Sequence, residues 1–377
     1  MIFSQMPRFS DIPETTAQKS ANSLRSVAGF RGHWDAPRNG RNWASSAETC
    51  CEEGKTVDSA NKRSRWTTSN IRSQYGRLIV VTGTGGLGYE CALALARAGA
   101  EIVMAGRSRA KGEASIARIR ESVPSVKIHF EELDLADLAS IEACGKRMRA
   151  NIKKIDVLIN NAAVMTVPQR QVTKDGFELQ FGTNYLGHFA FTAHLMPLLH
   201  QGSNTRVVNV AALAANMAKI DFDDLQSERR YRPMAVYGQS KLANLIFSLA
   251  LHRLSMARNW GTKIIATHPG LARTDLSGVR ADKIKANNDQ SSESKIPFLL
   301  GLLAPILLQP AEQGALPPLF AATASEAKSG QYYGPDGFGE RRGFPAPAKI
   351  PSAAKDEAVA KRLWEISEQL THVRFDA

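Results

Sequence analysis

The stretch from Arg77 onward constrains the fold more than any other part of the chain. Leu78-Ile79-Val80-Val81 is an unbroken apolar run, which is what a strand buried on both faces requires. One residue later comes Gly83-Thr84-Gly85-Gly86-Leu87-Gly88, followed by a strong helix former over 89–98 that ends at Gly99. Glycines are needed between such a strand and helix when the backbone must turn sharply and approach a bound group closely. The helix start then offers unpaired N–H groups and a positive dipole end to an anion such as a pyrophosphate.

The same alternation continues for nearly 200 residues. Strands are predicted over 77–81, 101–105, 126–133, 157–160, 206–210 and 262–267. Helices are predicted over 89–98, 109–122, 138–151, 178–199 and 235–257. Strands alternating with helices at this spacing require a parallel sheet covered on both faces. The expected fold class is therefore α/β, a doubly wound parallel sheet of the Rossmann type, with its ligand crevice at the carboxyl ends of the strands. It is expected as one domain over residues 66–377.

Residues 1–65 are different. They are rich in Ser, Asn, Arg and Gly, show no sustained period, and are expected to form a disordered extension. Arg and Ser hint at a transit peptide, but Asp11, Glu14, Asp35, Glu48, Glu52 and Glu53 argue against one. An over-long translation start reads equally well. No apolar secretory core is visible, and cytoplasmic localisation is expected. Of the four cysteines, Cys50 and Cys51 adjoin, while Cys91 and Cys144 fall in helical patterns where a small buried thiol is ordinary. No ligand spacing for a metal occurs. The formal net charge is +12, but Lys and Arg are scattered, so neither a nucleic acid nor a membrane partner is expected. The most apolar stretch, 297–308, is too short to span a bilayer and contains Pro305, so no transmembrane segment is expected.

Two details bear on chemistry. The second strand ends Met104-Ala105-Gly106-Arg107 with no acid at its tip. A carboxylate there would pair with the ribose hydroxyl of NAD, whereas an arginine suits a 2′-phosphate, so NADP is the expected cofactor. Tyr237 and Lys241 stand four apart on one helical face. A cation beside a phenol favours the phenolate and pulls its pKa below about 10, letting it trade a proton with an alcohol or carbonyl oxygen.

Together these residues resemble the short-chain dehydrogenase/reductase superfamily over residues 74–340. The resemblance rests on the glycine loop (Gly83, Gly85, Gly86, Leu87, Gly88), Asp134-Leu135 after the third strand, Asn160-Asn161-Ala162-Ala163, Asn184 in Asn184-Tyr185-Leu186-Gly187-His188-Phe189, the Tyr237/Lys241 pair, and His268-Pro269-Gly270 with Thr274. Leu-Gly-His-Phe, Ser-Lys-Leu-Ala-Asn and Tyr-Tyr-Gly-Pro are most similar to the branch of retinol dehydrogenases, protochlorophyllide reductases and polyketide ketoreductases. The resemblance implies that Tyr237 is the general acid or base, that Lys241 holds the nicotinamide ribose, and that Asn184 positions a water leading from Lys241 to solvent. It also implies cofactor contacts by the glycine loop, Arg107, Asp134, Leu135, Asn161, Pro269, Gly270 and Thr274.

The sequence departs from that family twice. The glycine loop is one residue shorter, and Ala212 stands where the family has a serine that donates to the substrate oxygen. Two readings follow: an NADP-dependent oxidoreductase of a hydrophobic carbonyl or alcohol, or a catalytically impaired, cofactor-binding regulatory protein of the same fold. Residues 275–312 are expected to form an apolar substrate lid, with Met165, Met217 and Met234 lining the pocket. Helices after the third and fifth strands are candidates for pairing subunits in a homo-oligomer.

Overall fold

A computed structural model describes residues 65–272 and 308–375. Two units divide the chain, Met1–Ser64 and Arg65–Ala377, and the fold below is that of the second. The expected extension up to residue 64, Cys50, Cys51, Thr274 and the lid over 275–307 lie outside the described residues.

The predicted alternation is present: β1 (Leu78–Thr82), α1 (Gly86–Arg97), β2 (Glu101–Gly106), α2 (Arg109–Ser122), β3 (Ile128–Glu132), α3 (Leu138–Asn151) and β4 (Val157–Asn160). Next come α4 (Gly187–Leu199), β5 (Arg206–Val210), α5 (Pro233–Ala257) and β6 (Lys263–Thr267). Beyond the predicted elements lie α6 (Leu316–Thr323), β7 (Tyr332–Pro335), β8 (Pro345–Pro347) and α7 (Glu357–Thr371). The strand order is β3-β2-β1-β4-β5-β6-β7-β8, with every pair parallel except β7 with β8. The order reverses between β1 and β4, which opens a crevice at the carboxyl ends of those strands.

The central strands are apolar on both faces because both are covered. Ile79, Val81, Ile102 and Met104 face Cys91 and Leu95 of α1 and Ile116 and Ile119 of α2. Cys91 and Cys144 are buried free thiols, as their helical positions predicted. On the other face, α4 and α5 carry an aromatic cluster. Phe189 lies 5.3 Å from Phe247, 5.2 Å from Trp364 of α7 and 5.1 Å from Phe375 (ring centroids). The face of α5 around Phe247 is covered by α7. The physical reason is apolar area: an aromatic-rich helix face needs cover, and a C-terminal helix supplies it without a second subunit.

One predicted helix is interrupted. Residues 178–199 form a short turn, Leu179–Phe181, then a wide π-type turn, Gly182–Leu186, before α4 begins. Such a widening shifts carbonyls off their regular partners, and Asn184 sits inside it.

Candidate active site

The glycine loop is built to receive a phosphate group. Gly83 has φ +91°, and a Cβ at Gly88 would lie 2.3 Å from the Gly83 carbonyl oxygen, so neither position accepts a side chain. α1 starts at Gly86 with Gly85 as its N-cap, no capping side chain and no acid in its first turn. By contrast α2 and α3 are capped by Ser108 and Asp137. The uncapped α1 leaves its first amide groups for an anion. Ser115 of α2 donates to the Thr84 carbonyl at 2.7 Å and holds the loop from the side. The donor set and cradle fit a dinucleotide.

The remaining cofactor candidates divide into two kinds. Arg107 is exposed at the tip of β2 and has no ion-pair partner among the described residues, whereas Arg109 pairs with Glu113 and Glu132. Asp134 accepts from the Ala136 amide at 3.0 Å, and Leu135 is buried, its carbonyl 2.4 Å from where a Cβ on Gly187 would lie. Asn161 acts beneath the loop: its side-chain amide donates to the Thr82 carbonyl at 2.9 Å and lies close under Gly83 and Gly88. Pro269 and Gly270 belong to a braced turn. Gly270 has φ +66°, its carbonyl-side neighbour Leu271 donates to Arg341 O at 2.7 Å, and Gln309 donates to Pro269 O at 2.6 Å. His268, fully buried, donates from Nε2 to Glu340 at 3.0 Å and accepts the Gly270 amide at Nδ1. The Glu340 carboxyl is held below its usual range by that histidine. Glu340 was absent from the sequence reading, because nothing local ties it to residue 268.

The first turns of α5 bring Tyr237 and Lys241 to the crevice. The Tyr237 hydroxyl has no hydrogen-bond partner among the described residues, although the residue is only 8% exposed. Lys241 is buried and donates to Val210 O at 2.8 Å at the end of β5. Burial pushes the Tyr237 phenol up to about 12, the reverse of the sequence expectation. The reason is loss of water: burial is what raises the Tyr237 phenol, and it also pulls the Lys241 ammonium down to about 7. A phenol held neutral is a proton donor rather than an acceptor.

Asn184 is tied on every side. Its side chain accepts from the Val164 amide at 2.8 Å and donates to Val164 O and to Ser240 Oγ, at 2.9 and 3.0 Å. Ser240 in turn donates to Tyr237 O at 2.8 Å, so this hydroxyl is engaged below the site. Ala212 has extended backbone (φ −158°) and opens the turn Leu213–Met217, which packs on α5 where Gly238 meets the Ala214 carbonyl. Of the three methionines expected in the pocket, Met165 is half-buried, while Met217 and Met234 are 93% and 55% exposed. They follow Ala212 and precede Tyr237 closely in sequence, on exposed surface rather than in a closed cavity.

A doubly wound sheet, a glycine cradle at its switch point and a Tyr/Lys pair on the helix after β5 define a short-chain dehydrogenase. The chain belongs to that family: the family model described as short chain dehydrogenase matches residues 77–285. Among its relatives, human retinol dehydrogenase 13 is 38% identical over 299 residues, covering 78% of this chain and 84% of that protein. Mouse retinol dehydrogenase 12 is 34% identical, covering 82% of this chain and 90% of that protein. The crystal structure of an uncharacterized protein from Mycobacterium paratuberculosis is 35% identical with a TM-score of 0.66, covering 83% of this chain and all of that one. The chain thus falls near the retinol dehydrogenase branch of an oxidoreductase family.

Proposed function

We propose that this protein is an NADP(H)-dependent oxidoreductase of a hydrophobic carbonyl or alcohol. The observation that carries it is the buried Tyr237 hydroxyl, without a hydrogen-bond partner among the described residues and one helical turn from buried Lys241, in a fold whose glycine cradle fits a dinucleotide. When bound, the nicotinamide supplies or accepts the hydride. Tyr237 holds the proton that a carbonyl oxygen takes up on reduction, since a phenol stays protonated at neutral pH. Lys241, which donates to Val210 O, would orient the nicotinamide ribose.

An apolar substrate is favoured by Met217 and Met234, exposed large side chains flanking Ala212 and Tyr237 in the chain. It is also favoured by relatives whose names are retinol dehydrogenase and polyprenol dehydrogenase. The free buried thiols Cys91 and Cys144 support a reducing, cytoplasmic setting. Following nicotinamide absorbance with a panel of hydrophobic aldehydes and ketones tests the reading. Tight NADPH binding without oxidation across the panel would favour a regulatory, cofactor-binding protein instead.

Exposed Arg107 supports a preference for NADPH. Arg107→Asp is expected to narrow or invert the preference for NADPH over NADH, because the carboxylate repels a 2′-phosphate and accepts from a 2′-hydroxyl. Equal affinity of the parental protein for both cofactors would defeat this. Ala212 gives a second test. Ala212→Ser is expected to raise kcat/KM by up to ~10²-fold through one regained donor to the substrate oxygen. No gain would show that the missing hydroxyl does not limit turnover.

A further inference from the structure

His188 stands outside every role assigned so far, yet it is 1% exposed, beneath the site, and bonded at both ring nitrogens. Counting protons gives the direction of each bond. Thr82 Oγ1 accepts from the amides of Asn161 and Ala162 at 2.9 and 3.0 Å, so both its lone pairs are filled. Its one proton must therefore be donated. His188 Nε2 lies at 2.9 Å and the alternative acceptor, Ile159 O, at 3.4 Å. Nε2 is thus an acceptor, the ring is neutral, and its proton sits on Nδ1, which donates to Asn184 O at 2.8 Å. Burial and the nearby Lys241 charge keep the ring neutral, with its pKa pulled down to about 4.

Asn184 O also accepts from Asn244 Nδ2 at 2.9 Å. Two side-chain N–H donors therefore meet at this carbonyl, inside the π-type turn. Asn244 lies three residues beyond Lys241 on α5, and Thr82 is the residue before Gly83. One chain of hydrogen bonds therefore runs from the amides after β4, through Thr82 and His188, to the carbonyl of Asn184, where the donation from Asn244 of α5 meets it. It joins the strand that opens the cofactor loop to the helix that carries Tyr237 and Lys241.

We propose that His188 is a positioning residue that couples the cofactor loop to the catalytic helix through this chain of hydrogen bonds. The proposal rests on the oxidoreductase reading only for its kinetic consequence. A leucine at 188 breaks both bonds, leaving the Thr82 proton without its best acceptor and Asn184 O with one donor fewer. A valine at 82 removes the acceptor of two amides and the donor to His188. Each change is expected to weaken NADPH binding and to lower kcat on the order of tenfold, with little change in the KM for substrate.

The test uses the full chain with His188→Leu, Thr82→Val, Thr82→Ser and the Thr82→Val/His188→Leu double variant. NADPH affinity is measured by calorimetry and folding by thermal midpoint, and kcat where a substrate of the panel is turned over. The double variant is expected to bind NADPH no worse than the weaker single one, and Thr82→Ser to restore affinity. Additive losses, or parental NADPH affinity in a folded His188→Leu protein, overturn the proposal. Nitrogen NMR of the parental protein decides it independently of fold changes and of any activity. A neutral Nδ1-protonated ring that does not titrate between about pH 5 and 8 is expected, and an Nε2-protonated or titrating ring refutes it. A protein that turns over nothing would sink the oxidoreductase reading while leaving these binding and NMR results to decide the role of His188.

Discussion

Replacing Tyr237 with phenylalanine is expected to lower carbonyl reduction by about 10²–10⁴-fold, the ordinary contribution of a positioned general acid. NADPH affinity should stay at the parental value. The two effects separate because of how the residue is held. Tyr237 is buried by its ring, which phenylalanine keeps, and its hydroxyl has no hydrogen-bond partner among the described residues to be orphaned. Only the proton donor is lost. Tyr237→Phe with undiminished turnover would move the acid to another residue. A large loss of cofactor affinity would show that the phenol holds the cofactor rather than the reacting oxygen. Lys241 gives the contrast: it is buried and bonded to Val210 O, so its removal takes a donor from that carbonyl and disturbs structure and binding together.

The second large effect is on stability and lies far from the chemistry. Trp364 is 2% exposed and packs on Phe189, Phe247 and Phe375, with centroid distances of 5.2, 5.9 and 4.9 Å. Its truncation to alanine opens a cavity that α4, α5 and α7 line jointly. Trp364→Ala is expected to cost about 3–5 kcal/mol, the range for deleting a large buried aromatic. For a domain of this size that lowers the thermal midpoint by roughly 6–15 °C. Replacing exposed Lys361 on the same helix with alanine should leave the midpoint nearly unchanged. An unchanged midpoint in Trp364→Ala would mean that α7 is not part of the cooperative unit. The same contacts bring the C-terminus close to the catalytic helix. The Tyr185 hydroxyl, next to Asn184, meets Ser367 Oγ of α7 at 2.7 Å.

Local chemistry made much of this protein legible from its sequence. An apolar run, a glycine hexad and a helix former lie within about twenty residues, and their order alone requires a strand, a tight turn and an open helix start. The strands β1 to β6 could be read because burial on both faces demands continuous apolar stretches. Tyr237 and Lys241 could be paired because four residues make one helical turn. The raised pKa of Tyr237 escaped that reasoning, since spacing says which groups are near and nothing about how much water they lose. β7 escaped it too: Tyr-Tyr-Gly-Pro carries turn residues, and it becomes a strand only by pairing with β6 at Ala266 and Thr267. Asn161 reads as a cofactor residue by motif, and only the fold shows that its amide also donates to the Thr82 carbonyl under Gly83 and Gly88. The links that decide the site's geometry are long-range. His188 meets Thr82 across 106 residues, and His268 meets Glu340 across 72. A hydrogen bond has no signature in sequence when its partners are brought together only by the crossing of helices over a sheet. The elements were therefore set by local propensity and burial, while the partners of each buried polar group were set by tertiary packing, which alone determines who is within 3 Å of whom.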